Sequence, residues 1–208
     1  MTSGRRDFRR VNEETLFEGR VFSVVDATFA DPDGEEFHRD VVRHPGAVAV
    51  VPLHEDGTVS LVQQMRPAVG EPVLEIPAGT CDVDGEDLET TAHRELVEEA
   101  GLRASRLERL ATVYNSPGYT DQRTTIFLAT GLEACDADPA GVEERWMSVE
   151  RLPLADAASL IASGHLVDST TIVGMLLARD MRAAGDMGAA GDMAAAGDPP
   201  LDARSGGD

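Results

Sequence analysis

Between Leu88 and Ala100 the chain reads as a helix whose apolar side carries carboxylates. Gly101 closes it, supplying the residue that most easily takes a left-handed helix end. At about 100° per residue, with Leu88 at zero, Ala92 falls at about 40° and Leu96 at about 80°. Glu95 and Glu99 fall at about −20° and about 20°, inside the same arc. Glu98 and Arg94 lie to one side, at about 280° and about 240°. A charge run on a helix usually means a solvated face, but here that reading fits badly. Carboxylates at i and i+4 repel each other. On the half-apolar, sheet-facing side they also lose water, which raises the cost. A divalent cation removes both penalties, and oxygen-only ligands favour Mg²⁺, or Mn²⁺, over Zn²⁺. Arg94 can pair with Glu98 one turn on, fixing that carboxylate.

The charge of the whole chain points the same way. Acids number 38 and bases 18 among 208 residues, giving a formal net charge of −20, and every base is Arg. Chemistry that needs a Lys is excluded. Nucleic-acid backbones and anionic membranes are disfavoured as partners, because both need a positive field. An anionic substrate would need a local cation to overcome that field. Residues 75 to 102 hold nine acids and one Arg, so much of the charge sits around this helix. Cys81 and Cys135 are too few for a disulfide framework or a thiolate metal site and read as reduced thiols. The basic stretch from Met1 to Arg10 is not followed by the apolar run of a signal peptide. No apolar run reaches the ~18 residues of a membrane span. A cytoplasmic protein is expected.

The pattern elsewhere predicts strands over Val21–Phe29, Ala47–Leu53 and Thr58–Gln64, the last two joined at an Asp56-Gly57 turn signal. Val73–Ile76 is a short apolar run ending at Pro77. Leu107–Tyr114, Thr124–Thr130 and Arg145–Ser148 read as strands, and Ala155–Ser163 and Ser169–Met181 as helices. Trp146 is expected in the core, and His44 and His93 are expected to be structural. From Ala183 the sequence is Ala, Gly, Asp and Met with a crude repeat, too poor in large apolar residues to offset ordering entropy. Disorder is expected over 183–208. Strands first, an acidic helix in the middle and helices at the end imply an α+β fold with a mixed sheet.

The stretch Glu75-Ile76-Pro77-Ala78-Gly79, then Glu86, then Arg94-Glu95-Leu96-Val97-Glu98-Glu99-Ala100-Gly101-Leu102 resembles the Nudix hydrolase signature. The loop Thr80–Gly85 is one residue longer than the signature's, which can shift the loop but leaves the helix intact. The flanks resemble the ADP-ribose pyrophosphatase branch: His44-Pro45-Gly46-Ala47, Gln64-Met65-Arg66, Ser116-Pro117-Gly118-Tyr119-Thr120-Asp121 and Gly164-His165-Leu166-Val167-Asp168. The resemblance runs roughly from Val11 to Met181. It implies a Nudix fold, a mixed β-sheet sandwiched by helices (α/β/α), with an N-terminal antiparallel β segment over 1–42 and the hydrolase domain over 43–182. It also implies a homodimer formed through the N-terminal segment.

The reaction implied is Mg²⁺-dependent hydrolysis of the diphosphate of ADP-ribose, giving AMP and ribose 5-phosphate, or of a related nucleoside diphosphate sugar. GDP-mannose, an oxidised nucleoside triphosphate, and a nucleotide-sensing module without catalysis are the other readings. Carried over residue by residue, Glu95, Glu99 and the Ala78 carbonyl are metal ligands. Glu98 holds a second metal or a water. Arg94 orients the glutamates, and Glu86 supports the helix start or is simply an acid favoured by the helix dipole. Arg66, and more weakly Arg43, are candidates for substrate phosphates, with surface solvation as the plainer role. Tyr119 either stacks on a base or ribose or packs its loop. One position departs from the branch. Where a Glu commonly follows the Asp of the loop, this chain has Gln122, and an amide cannot act as a base. Either Asp121 or Glu98 takes that role, or the substrate or rate differs.

Overall fold

In the computed structural model, residues 7–137 and 144–186 are described. The strands are β1 (Arg9–Glu18), β2 (Ser23–Ala30), β3 (Glu36–Arg43), β4 (Ala47–Pro52), β5 (Thr58–Arg66), β6 (Glu71–Glu75), β7 (Ala78–Thr80), β8 (Leu102–Tyr114), β9 (Arg123–Ala134) and β10 (Ser148–Pro153). The helices are α1 (Leu88–Ala100), α2 (Ala157–Ala162) and α3 (Ser169–Asp186). No helix among the described residues is long and apolar enough to cross a membrane.

The central sheet runs β7-β4-β9-β8. It is mixed, because β4 and β9 are parallel while the other pairs are antiparallel. Strand alternation splits its side chains between two layers. Val48, Val50, Phe127 and Ala129 pack with Ala92 and Leu96 of α1. Ala49, Val51, Ile126 and Leu128 pack with Met175 and Ala178 of α3. Helices therefore cover both faces, giving the expected α/β/α sandwich. Close approach on the second face is allowed by Gly174, where a Cβ would come within 2.9 Å of a Val51 methyl.

Two smaller sheets complete the fold. β1-β2-β3 is an antiparallel N-terminal sheet, and β10-β5-β6 joins the second apolar layer. The Asp56-Gly57 turn forms, with Gly57 at φ 83° and its N–H donating to the His54 carbonyl. It does not produce a simple hairpin. β4 and β5 leave it for different sheets, keeping only the bridge Leu53–Val59. The reason lies in β4, whose side chains are buried on both faces between α1 and α3, while β5 pairs with β6 and β10.

Several expectations need correction. Residues 144–146 form a 3₁₀ turn, and the strand begins only at Ser148. Trp146 is not in the core: it is 86% exposed, on a short turn at the start of an edge strand. The helix expected from Ala155 begins as a 3₁₀ turn over Leu154–Asp156 and becomes α-helical at Ala157. α3 runs to Asp186, four residues into the segment expected to be disordered, and the rest of that segment lies outside the described residues.

One buried joint fixes α3 to the link between β6 and β7, the strand before the acidic helix. Thr171 is fully buried, and its hydroxyl accepts from the Ile76 N–H at 3.0 Å while donating to Asp168 at 2.8 Å. Replacing it by Val keeps the shape but orphans the Ile76 N–H. Thr171→Val should therefore cost about 1–3 kcal/mol in chemical denaturation. An unchanged midpoint would mean the joint contributes nothing.

Candidate active site

The acidic helix starts at an Asp87 cap that accepts the Thr90 N–H at 2.8 Å, and ends at Gly101 in the left-handed region, φ 60°. Its inward arc is as the spacing predicts. Ala92 and Leu96 are fully buried, Glu95 is 6% exposed and Glu99 7%. Both carboxylates meet the backbone of β7. Glu99 Oε2 accepts the Ala78 N–H at 2.9 Å. Glu95 lies against Gly79, where a Cβ would stand 1.9 Å from the carboxyl carbon. Gly79 is thus required by the carboxylate opposite it rather than by its own backbone angles.

Arg94 gathers the other acids of the helix. Its Nη1 donates to Glu95 at 2.6 Å and to Glu98 at 3.2 Å, and its Nη2 donates to Glu86 at 3.1 Å. The predicted Arg94–Glu98 pair is present, but it is one of three. Bonding from Arg94, helped by the Thr91 hydroxyl, pulls the Glu86 carboxyl below its usual range. The same bonding, chiefly with Glu86, keeps the Arg94 guanidinium charged.

Arg66, at the end of β5, reaches across to Glu75, with Nε donating at 2.9 Å and 3.1 Å to the two carboxylate oxygens. Glu75 is 7% exposed, and its bonding is the main reason the Arg66 pKa is raised. The Nη1 of Arg66 has no partner among the described residues. Arg66, Glu75, Ala78, Gly79, Asn115, Gln122 and Asp168 line one open cleft of about 470 Å³. The structure therefore brings Arg66 and Gln122 to the segment that faces the acidic helix.

Arg43, Asp121 and Tyr119 fall elsewhere, whereas His44 lines the cleft. Arg43 is committed to two carboxylates, with Nε donating to Glu13 at 3.1 Å and Nη1 to Asp121 at 3.0 Å. Asp121 also accepts the His44 N–H at 3.0 Å. Backbone bonds between Val42 and both Tyr119 and Asp121 add to this stitch. Asp121 thus ties its loop to the β3–β4 corner and does not line the cleft. Tyr119 is 59% exposed and borders, with Phe29, Arg39 and its own loop, a pocket separate from the cleft. His44 accepts from the Gly46 N–H at 3.0 Å, and burial lowers its pKa, which suits a structural role. His93 is exposed on α1. Sequence reading missed Glu13 and Glu75 as partners, because each lies far along the chain from, or in a different strand than, the Arg it holds.

The cluster fits a hard divalent cation by its chemistry. Glu75, Glu86, Glu95, Glu98 and Glu99 supply five carboxylates against the two guanidiniums of Arg66 and Arg94, and all donors are oxygens. Among the described residues, no three acidic, His or Cys side chains converge in metal-ligand geometry.

The contact at Gly79 gives a direct test. In Gly79→Ala the added methyl must displace the Glu95 carboxylate, at a cost of about 1–3 kcal/mol for overpacking. Thermal unfolding should show the loss. A wild-type melting temperature would mean Glu95 can leave β7 freely.

A family model described as NUDIX domain matches residues 42–163. The chain is 38% identical over 170 residues to an ADP-ribose pyrophosphatase of Mycobacterium tuberculosis (strain ATCC 25618 / H37Rv), covering 82% of each chain. It is 34% identical over 163 residues to an ADP-ribose pyrophosphatase of Bacillus subtilis (strain 168), covering 78% of this chain and 88% of the relative. A solved structure described as an ADP compounds hydrolase superposes with a TM-score of 0.76 at 22% identity, covering 88% of this chain and 98% of its own, and shares the fold. With the family model spanning the acidic helix and these relatives matched over most of its length, the chain belongs to the NUDIX domain family.

Proposed function

We propose that this protein is a Mg²⁺-dependent pyrophosphatase that cleaves the diphosphate of ADP-ribose to AMP and ribose 5-phosphate, or that of a related nucleoside diphosphate sugar. Family membership and the likeness to ADP-ribose pyrophosphatases make it a hydrolase of phosphorus-containing anhydrides. The observation that carries the finer reading is the pair Glu95 and Glu99, buried side by side against β7 beside a cleft that contains Arg66.

A pyrophosphate resists attack because its anionic oxygens repel a nucleophile. When bound, a divalent cation neutralises those oxygens and makes water a better nucleophile. Glu95, Glu99 and the Ala78 carbonyl would hold it, with Mn²⁺ as an alternative ion. Arg66 offers its spare Nη1 to a phosphate oxygen, while Glu75 keeps the guanidinium oriented. Water attacks one phosphorus, the bridging P–O bond breaks, and the proton passes to a carboxylate. Glu98 suits that role best. It is partly exposed and held only at 3.2 Å by Arg94. Asp121 suits it less well, because Arg43 and the His44 N–H already engage its oxygens. Arg43 is better read as the residue that fixes Asp121 than as a phosphate contact, and Tyr119 lies away from the cleft. Gln122 lines the cleft without being able to accept the proton.

A homodimer is part of the proposal. The N-terminal segment exposes Phe8, Leu16, Phe17 and Phe22, between 44% and 64% each, on β1 and the residues flanking it, which suits burial against a second copy. A monomeric mass in solution would remove this element. The two half-buried free thiols, Cys81 and Cys135, are compatible with the cytoplasm.

Purified protein with Mg²⁺ should cleave ADP-ribose faster than GDP-mannose, NADH or oxidised dGTP. Glu98→Gln should lower kcat by about 10²–10⁴, the usual range for a general base. Asp121→Asn should leave kcat within a few-fold. Binding of nucleotides without cleavage would favour a sensing module. A kcat collapse in Asp121→Asn, with Glu98→Gln active, would move the base to Asp121.

A further inference from the structure

The cleft has one wall that phosphate chemistry does not use. It is built from the end of the 115–122 loop and the start of α3. Its two sides are tied together. The Asn115 N–H donates to the Gln122 carbonyl at 3.2 Å, and the Asn115 side chain donates to Thr170 at 3.3 Å while accepting from Thr124 at 2.8 Å. These bonds use both ends of the Asn115 amide, and Thr124 and Thr170 are buried at 3% and 8% exposure. Glu75 is occupied by Arg66.

Two polar groups on this wall keep spare capacity. The side-chain amide of Gln122, half-buried, has no partner among the described residues. Asp168 uses one carboxylate oxygen, Oδ2, to accept the Thr171 N–H at 2.7 Å and the Thr171 hydroxyl at 2.8 Å. Its Oδ1 has no partner among the described residues. The two hydrogen bonds from Thr171 hold the carboxylate in place and leave Oδ1 open.

From this we infer that Asp168 and Gln122 are specificity-determining residues that bind hydroxyl groups on the moiety attached to the diphosphate. A carboxylate oxygen accepts from a hydroxyl but repels a phosphate. An amide both donates and accepts, so the two together suit neighbouring hydroxyls of a sugar. A terminal phosphate on this wall would face the Asp168 carboxylate, while the spare Nη1 of Arg66 is taken up by the diphosphate itself. The cleft thus selects a diphosphate bearing a neutral polyol over a nucleoside triphosphate. A site built to hydrogen-bond a substrate hydroxyl rejects the analogue lacking it far better than an apolar pocket could. This inference rests on the pyrophosphatase reading and narrows its substrate class.

The experiment is a substrate-by-variant cycle. ADP-ribose is compared with ADP methyl ester, which keeps the adenosine and the diphosphate but lacks the terminal ribose and its hydroxyls. Wild type should prefer ADP-ribose in kcat/KM. Asp168→Asn retains an acceptor for the Thr171 N–H, and it should lose about tenfold on ADP-ribose with little change on the methyl ester. Gln122→Ala, which removes no bond among the described residues, should behave likewise. Equal losses on both substrates, or no loss in either variant, would overturn the inference while leaving the pyrophosphatase reading intact. Should Asp168→Asn fail to fold, Gln122→Ala decides alone. Cleavage of neither compound by wild type would remove both.

Discussion

Everything in this molecule that bears on function is arranged around two carboxylates buried against a short strand. Glu95 and Glu99 cost free energy where they are, because burial removes water and their spacing brings like charges together. The fold offsets the cost in pieces. Glu99 takes a backbone N–H from Ala78, Glu95 takes a guanidinium from Arg94, and Gly79 withholds a side chain so that Glu95 fits. Those devices leave an excess of negative charge, which a divalent cation would complete. The α/β/α sandwich gives this arrangement a rigid base. α1 is pressed on one face of β4 and β9, while α3 holds the other face and, through Thr171, the Ile76 joint just before β7.

The acidic helix was legible in the sequence almost to the residue. Its limits, its left-handed end at Gly101 and the inward turn of Glu95 and Glu99 all follow from local periodicity and capping. Local rules also marked β2, β4, β5 and β9. They failed where tertiary partners decide. The Asp56-Gly57 turn forms as its chemistry dictates, but the sheet to which each flanking strand belongs depends on what packs above it. β1 and β3 lack clear alternation because neither buries a residue fully, so the N-terminal sheet could be expected only through family resemblance. Trp146 shows the limit of composition, since an aromatic side chain suggests burial and its local turn leaves it exposed.

Within the site, the helix residues were readable and their long-range partners were not. Spacing paired Arg94 with Glu98, but Glu86 joins them only because the loop before the helix folds back. Arg66 was recognisable as a cation near the cleft. Its anchoring by Glu75 depends on the β5–β6 ladder, which no local pattern specifies. Asp121 and Arg43 are the instructive pair. Each looked like a site residue on resemblance, and three-dimensional pairing engages one with the other. That leaves Asn115 and Gln122 as the loop's contributions to the cleft, and the amide of Gln122 can donate and accept hydrogen bonds there but cannot take up a proton.

The central claim is that Glu95 and Glu99 form a cation site. Calorimetric titration of Mg²⁺, with Mn²⁺ as a second ion, into wild type and Glu99→Gln tests it most directly. The account predicts saturable binding to wild type and loss of that binding in the variant, which still offers an acceptor to the Ala78 N–H. Equal binding by both proteins, or none by either, would contradict it.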